Sequence, residues 1–228
     1  MTAEAPTGFC SRPESFAGPG GATRAGAARL ARTAHHARTA PPTRTADALA
    51  ASSVVGPMTE IEVRPARPEE FEAVGELTAA AYLADGLVRQ EYLPALRDAP
   101  GRAAAGTLMV AADAATGDLL GTASLFTANA GPSWAEGASP GDAVLRMLGV
   151  SPRARRRGVA RALTLECIHR AQQMGLHRLI LSTAPAMTAA RALYEQLGFR
   201  RDPGADWEPV PGVSLLAYWL PLQERAGR

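Results

Sequence analysis

The stretch Val144-Leu-Arg-Met-Leu-Gly-Val-Ser-Pro-Arg-Ala-Arg-Arg-Arg-Gly-Val-Ala-Arg-Ala-Leu163 passes from an apolar strand through a basic, glycine-bearing turn into the start of a helix. That order builds a seat for phosphate. The first N–H groups of a helix have no partner inside it and point along its axis, and a glycine beside them lets an anion approach without meeting a Cβ. A pyrophosphate-bearing cofactor is the occupant this pattern predicts.

Outward from that segment, strands and helices are mixed. Ile61 to Arg64 alternates as a strand, and Arg67-Pro-Glu-Glu70 supplies the proline and acids of a helix start that runs to about Leu83. Leu87 to about Asp98 reads as a second helical stretch, interrupted by Pro94 and ended by Pro100-Gly101. Thr107 to Ala112 and Leu119 to Thr127 read as strands joined by the turn Asp113–Asp118, paired antiparallel. Residues 129 to 142 form a loop carrying Trp134. Past the Arg-Gly turn, a helix from about Arg156 to Met174 puts Val159, Leu163, Cys167 and Ala171 on one face, with Gly175 as its stop. Arg178–Thr183 reads as a strand, Thr188–Leu197 as a helix closed by Gly198, and Val213–Leu220 as a last strand. The pattern predicts an α+β layer fold with a mixed sheet.

Composition divides the chain of 228 residues in two. Residues 1–57 are built mainly from Ala, Thr, Pro, Gly and Arg, with apolar side chains too few to offset the entropy of ordering, and read as a disordered N-terminal extension. Its many prolines and glycines oppose the amphipathic helix of a transit peptide, which favours an upstream extension or misassigned start ahead of Met58. Residues 58–228 are enough for one core. Six Arg against Glu4, Glu14 and Asp47 give the extension +3, so the rest carries −1 of the total +2. A near-neutral folded part does not indicate nucleic acid as partner, although the Arg cluster at 153–157 keeps a local patch in view. All 24 basic residues other than His are Arg. No window approaches the ~20 apolar residues of a membrane span. With Cys10 in the extension and Cys167 on a helix, no disulfide framework is implied and a reducing cytoplasm fits.

Two motifs in order give a specific likeness. Arg155-Arg-Arg-Gly-Val-Ala160 fits the Gln/Arg-x-x-Gly-x-Gly/Ala signature, and Ala192-Leu-Tyr-Glu-Gln-Leu-Gly-Phe199 the second hallmark, of the GNAT superfamily of acyl-CoA-dependent N-acyltransferases, which the chain resembles over Ile61–Leu220. The resemblance implies a mixed, mostly antiparallel sheet of six or seven strands flanked by about four helices. It also implies acetyl-CoA as co-substrate and a small-molecule or peptide amine as acceptor. Coenzyme A needs amide donors for its pyrophosphate and an unpaired strand edge for its peptide-like arm.

By the same resemblance, Leu148, Gly149 and Val150 would lie along the pantetheine arm, and Arg155, Arg156, Arg157, Gly158, Val159, Ala160 and Arg161 would surround the pyrophosphate. The Leu148 N–H would face the developing oxyanion, and Tyr194 would protonate the leaving thiolate. Two departures stand out. Met187 occupies a cofactor-contact position where many relatives carry Asn, and Val144–Val150 contains no carboxylate where relatives often carry a glutamate base. Asp142 is the first candidate for that base, with Glu136 and His177 behind it. Trp134, Tyr82, Tyr92 and Trp207 are candidates for the acceptor side. Glu166, Cys167 and His169 do not share one helix face, so no metal site is expected. A non-catalytic acyl-CoA sensor and an Arg-mediated nucleic-acid binder are the competing readings, and the oligomeric state stays open, a homodimer included.

Overall fold

The computed structural model describes residues 60–86 and 88–222. Expectations for residues 1–57, for Cys10 and for Leu87 lie outside them. The strands are β1 (Ile61–Pro65), β2 (Thr107–Asp113), β3 (Leu119–Thr127), β4 (Asp142–Val150), β5 (Arg178–Thr183), β6 (Arg200–Arg201) and β7 (Leu216–Pro221). The helices are α1 (Phe71–Ala84), α2 (Leu93–Arg97), α3 (Ala99–Ala105), α4 (Pro132–Ala135), α5 (Val159–Gln173) and α6 (Thr188–Gln196). One seven-stranded sheet has the order β1-β2-β3-β4-β5-β7-β6. Only β4 and β5 run parallel; every other pair is antiparallel. The mixed, mostly antiparallel α+β sheet is the one expected.

The structure departs from these expectations locally. The stretch expected to be one helix to Asp98 is a short 3-10 turn, Gln90–Tyr92, followed by α2. Pro100-Gly101 does not end a helix but sits in the first turn of α3, where the Asp98 side chain caps the Gly101 N–H at 2.8 Å. A proline is tolerated there because its missing N–H would have had no partner anyway. The helix after the basic turn begins at Val159 rather than Arg156, since Arg156 (φ 61°) and Gly158 (φ 84°) are left-handed and cannot join a right-handed helix. The last strand starts at Leu216, preceded by an isolated Trp207–Leu215 bridge, and the two-residue β6 carried no sequence signal.

Helices cover both faces of the sheet. On one, Val159, Leu163, Cys167 and Ala171 of α5 pack against Ala123 and Leu125 of β3, Ala143 and Leu145 of β4, and Tyr194 and Phe199 from the α6 region. On the other, Val74 and Ala79 of α1 pack with Leu93, Leu96, Val110 and Met147. Buried on both sides, β4 has the near-continuous apolar sequence such a strand requires.

Candidate active site

The centre of β4 carries an irregularity that its sequence does not announce. Ser124 pairs with Arg146 and Thr122 with Gly149, so an extra residue is accommodated between them. Met147 takes it up at φ 51°, a costly conformation for a side chain other than glycine. Ala143 and Leu145 before the bulge belong to the α5 face, and so do Leu148 and Val150 after it, while Met147 turns toward α1. Pairing of β4 with β5 ends at Leu145–Leu181, although β4 continues to Val150 and β5 to Thr183. Beyond Leu145 the two strands part, and the β5-facing edge of β4 at Leu148, Gly149 and Val150 has no strand partner among the described residues.

The basic turn lies at the end of that edge. Gly158 is the N-cap of α5 with φ 84°, and nothing lies within 4 Å of where its Cβ would be. From Arg155 through Arg161, no main-chain N–H donates to a main-chain acceptor among the described residues; the first such bond is Ala162 N–H to Gly158 O at 2.9 Å. The arginine side chains divide. Arg155 pairs with Asp85 at 2.9 Å and donates to the Ala81 carbonyl at 3.3 Å, docking the turn on the end of α1. Arg157 lies 3.7 Å from Asp113. Arg156 and Arg161 are exposed. The residues fit an extended diphosphate thioester: the amides and open glycine can seat an anion, and the unpaired β4 edge can hold an amide-bearing arm.

Tyr194 lies in α6 with its ring buried against Phe199 (centroids 5.6 Å apart) and Tyr218 (6.3 Å). Burial, with Cys167 beside it, raises its phenol well above the ordinary value, so it stays protonated at any working pH. Its hydroxyl has no hydrogen-bond partner among the described residues, and it is not among their sealed, unpartnered polar atoms, of which Arg64 Nε is the single case. Tyr82 of α1 feels Tyr194, Tyr92, Arg146 and Arg102, and is raised first of all by burial of its phenol, although part of the side chain reaches the surface. Tyr82, Tyr92 and Trp134 pack against the cluster of Ala79, Leu93, Leu96 and Met147, and Trp134 stacks on Phe126 at 5.2 Å. Trp207 instead lies near β5, its Nε1 donating to Ser182 Oγ at 3.2 Å.

Several expected site residues are engaged elsewhere. Asp142 is 3% exposed and gripped by Arg178 through two hydrogen bonds of 2.8 and 2.7 Å, while its Oδ2 also accepts the Ser139 N–H at 2.9 Å. Burial pushes its carboxyl up, but the bonds from Arg178 and Ser139 outweigh this and leave it below the usual range. That geometry is a structural ion pair. Met187 precedes α6 with its sulfur accepting from Thr183 Oγ1 at 3.5 Å. Cys167 is fully buried, its thiol pushed up to about 12 by burial, and Glu166 turns to Arg170 at 2.8 Å. No group of three metal-ligating side chains occurs among the described residues. None of their helices is long and apolar enough to cross a membrane. The partners of Asp142 and Arg155 stand 36 and 70 positions away, with no local pattern to reveal them.

A fold with one parallel pair splayed beside an amide-lined glycine turn defines a class, and comparison with known proteins names it. The model of the acetyltransferase (GNAT) family matches residues 71–199. The chain belongs to this family. It is similar to a mycothiol acetyltransferase of Pseudarthrobacter chlorophenolicus, with 40% identity over 65 residues, 28% of this chain and 20% of that protein. The chain thus spans about a fifth of that relative's length. Among solved structures it resembles a putative GNAT acetyltransferase of Desulfovibrio desulfuricans (20% identity, TM-score 0.58, 72% of this chain and 100% of that one). A putative acetyltransferase of Salmonella typhimurium, solved with acetyl-CoA, is 19% identical with TM-score 0.56 over 74% of this chain and 98% of that one. The ribosomal-protein-S18-alanine N-acetyltransferase of Escherichia coli is likewise 19% identical, with TM-score 0.55 over 74% and 97%. At these identities the likeness is one of fold.

Proposed function

We propose that residues 58–228 form an acetyl-CoA-dependent N-acetyltransferase domain that moves an acetyl group to a primary amine by direct attack on the thioester. The observation that carries this reading is the run of main-chain N–H groups from Arg155 to Arg161, around the open Gly158, that have no main-chain acceptor among the described residues. A charge-assisted hydrogen bond contributes about 1.5–3 kcal/mol, so three or four amides can supply most of the ~8 kcal/mol of micromolar binding. Exposed Arg side chains add about 0–1 kcal/mol each.

In this reading the pantetheine arm lies along the free edge of β4 and brings the acetyl carbonyl to the Leu148 N–H. The amine lone pair attacks the carbonyl carbon, a C–N bond forms, and the Leu148 N–H steadies the oxyanion. Collapse breaks the C–S bond. Tyr194 donates a hydrogen bond to the departing sulfur. Its raised pKa makes full surrender of the proton uphill, so the proton shed by the nitrogen, whose basicity falls on acylation, finally converts the thiolate to thiol. With Asp142 locked to Arg178 and β4 free of carboxylates over Val144–Val150, no side chain is assigned as base, and the acceptor reacts from its neutral fraction. The buried free thiol of Cys167 suits a reducing cytoplasm. The relatives' names span mycothiol and a ribosomal-protein alanine, so the acceptor is left at the level of a primary amine.

The absence of a carboxylate over Val144–Val150 also favours a second reading, a domain that binds acyl-CoA without turnover. Acetyl-CoA far above its dissociation constant raises the melting temperature in both readings. Release of free thiol over a panel of amines occurs in the first alone. A chain that neither gains stability with acetyl-CoA nor releases thiol overturns both.

A further inference from the structure

Arg102 of α3 is the largest side chain with no exposed surface, at 0%. Its guanidinium makes four hydrogen bonds: Nε to Asp98 O at 3.3 Å, one terminal nitrogen to Ser124 Oγ at 3.3 Å, and the other to Thr78 Oγ1 at 3.1 Å and Leu96 O at 3.0 Å. All four acceptors are neutral oxygens. No ion pair among the described residues includes Arg102, whereas Arg64, Arg97, Arg178 and Arg201 each hold a carboxylate within 2.8 Å. The nearest acid in sequence, Asp98, is exposed and spends its carboxylate on the Gly101 N–H. Burial lowers the Arg102 pKa, yet a guanidinium stays charged throughout the physiological range. Enclosing a cation without an anion is expensive, and neutral dipoles repay only part of the cost.

The place of this charge gives it a use. Ser124 stands opposite Arg146 on β4, immediately before the Met147 bulge, and Thr78 lies beneath Gly149, its Cα 3.8 Å from where a Gly149 Cβ would be. The two hydroxyls that hold the guanidinium therefore bracket the segment that presents the Leu148 N–H. We infer that Arg102 is kept without a counter-ion so that its charge, set behind the β4 bulge, stabilises the negative charge that develops on the acetyl oxygen and sulfur during transfer. It touches neither substrate nor cofactor. It is a positioning residue, and what it positions is charge. Because that negative charge is absent before reaction, the stabilisation acts on the rate of transfer and not on binding of the substrate. This inference rests on the reading of acetyl transfer at the bulge.

The test supplies the missing anion. In Ser124→Asp the new carboxylate can pair with Arg102 and cancel its field while filling the same space as Ser124→Asn. The expected result is a kcat about tenfold or more lower for S124D than for S124N, with equal affinity for acetyl-CoA and a melting temperature no lower. A second pair removes the charge from the other side. Arg102→Gln lowers kcat without a pH trend relative to wild type. Arg102→Lys regains activity relative to wild type as pH falls from about 9 to 6, because a buried ammonium with a lowered pKa recovers its proton. Tyr82 of α1, Tyr92 before α2 and Asp98 before α3 are titratable groups that act on this position, Arg146 of β4 stands opposite Ser124, and Ser124 of β3 is itself neutral. Equal kcat for S124D and S124N, or a kcat loss matched by loss of acetyl-CoA binding, overturns the inference. A wild-type chain that releases no thiol with any amine would defeat the transferase reading itself, which is a separate outcome.

Discussion

Tyr82 and Tyr194 come from helices on opposite faces of the sheet, α1 and α6, and the sheet is open where β4 and β5 stop pairing beyond Leu145 and Leu181. That gap is where thioester and amine are proposed to meet.

Removal of the Tyr194 hydroxyl isolates its role. In Tyr194→Phe the ring contacts to Phe199 and Tyr218 remain and no hydrogen bond among the described residues is lost, so stability should change by less than about 0.5 kcal/mol. We expect kcat to fall about 10- to 100-fold with the KM for acetyl-CoA nearly unchanged. Steady-state kinetics with thermal denaturation of the same preparation checks both halves.

The amide seat and the arginine side chains make unequal contributions. Gly158→Glu adds a side chain to a left-handed position and a negative charge to an anion seat, and should abolish acetyl-CoA binding. Arg156→Ala removes an exposed cation and should weaken binding by about 0–1 kcal/mol. Calorimetry that found the reverse order would remove the amide seat as the main source of affinity.

Asp142 separates structure from catalysis. Asp142→Asn leaves Arg178 without its anion, and we expect a loss of about 1–3 kcal/mol, below the ~3–5 of a fully buried pair because Arg178 is 42% exposed. Its carboxyl is held below the usual range, so its contribution is complete above the unfolded carboxyl's pKa of about 4 and is lost as pH falls through the lower folded value. Urea titrations of wild type and D142N should therefore converge in acid. A D142N enzyme of wild-type stability but much reduced kcat would return this residue to the role of base.

With no base assigned, log kcat/KM should rise with pH at unit slope until the acceptor amine's own pKa. A plateau near pH ~6–7 that is independent of the amine used would demand a tuned imidazole or carboxylate in the enzyme.

Gly121 tests how tightly β3, β4 and α5 are fitted. A Cβ there would lie 2.8 Å from Val159 Cγ1 and 2.9 Å from the Gly149 carbonyl oxygen. Gly121→Ala should cost about 1–3 kcal/mol, and because both displaced atoms belong to the proposed cofactor seat, acetyl-CoA affinity should drop with it. Parallel melting curves and binding isotherms decide the point.

Local chemistry in the chain was enough to place the glycine N-cap that is proposed as the phosphate seat. A glycine after three arginines and before an apolar helix specifies an N-cap with free amides wherever it is folded, because those donors depend on residues a few positions apart. The inward face of α5 was equally plain, since 3.6-residue periodicity is local. What folding alone decided depends on residues remote in sequence. The bulge at Met147 puts that side chain among Ala79, Leu93 and Leu96, and nothing in Arg-Met-Leu marks it. The ion pair that withdraws Asp142, the docking of Arg155 on α1, and the enclosure of Arg102 among three helices and a strand each require partners that only the tertiary arrangement brings together. An arginine in the small-residue run Ala99-Pro-Gly-Arg-Ala-Ala-Ala105 hints at close packing around it, but the neutral acceptors that hold it come from α1, the α2–α3 junction and β3. Short-range spacing sets what a segment can offer; long-range packing sets which of its groups remain free to act.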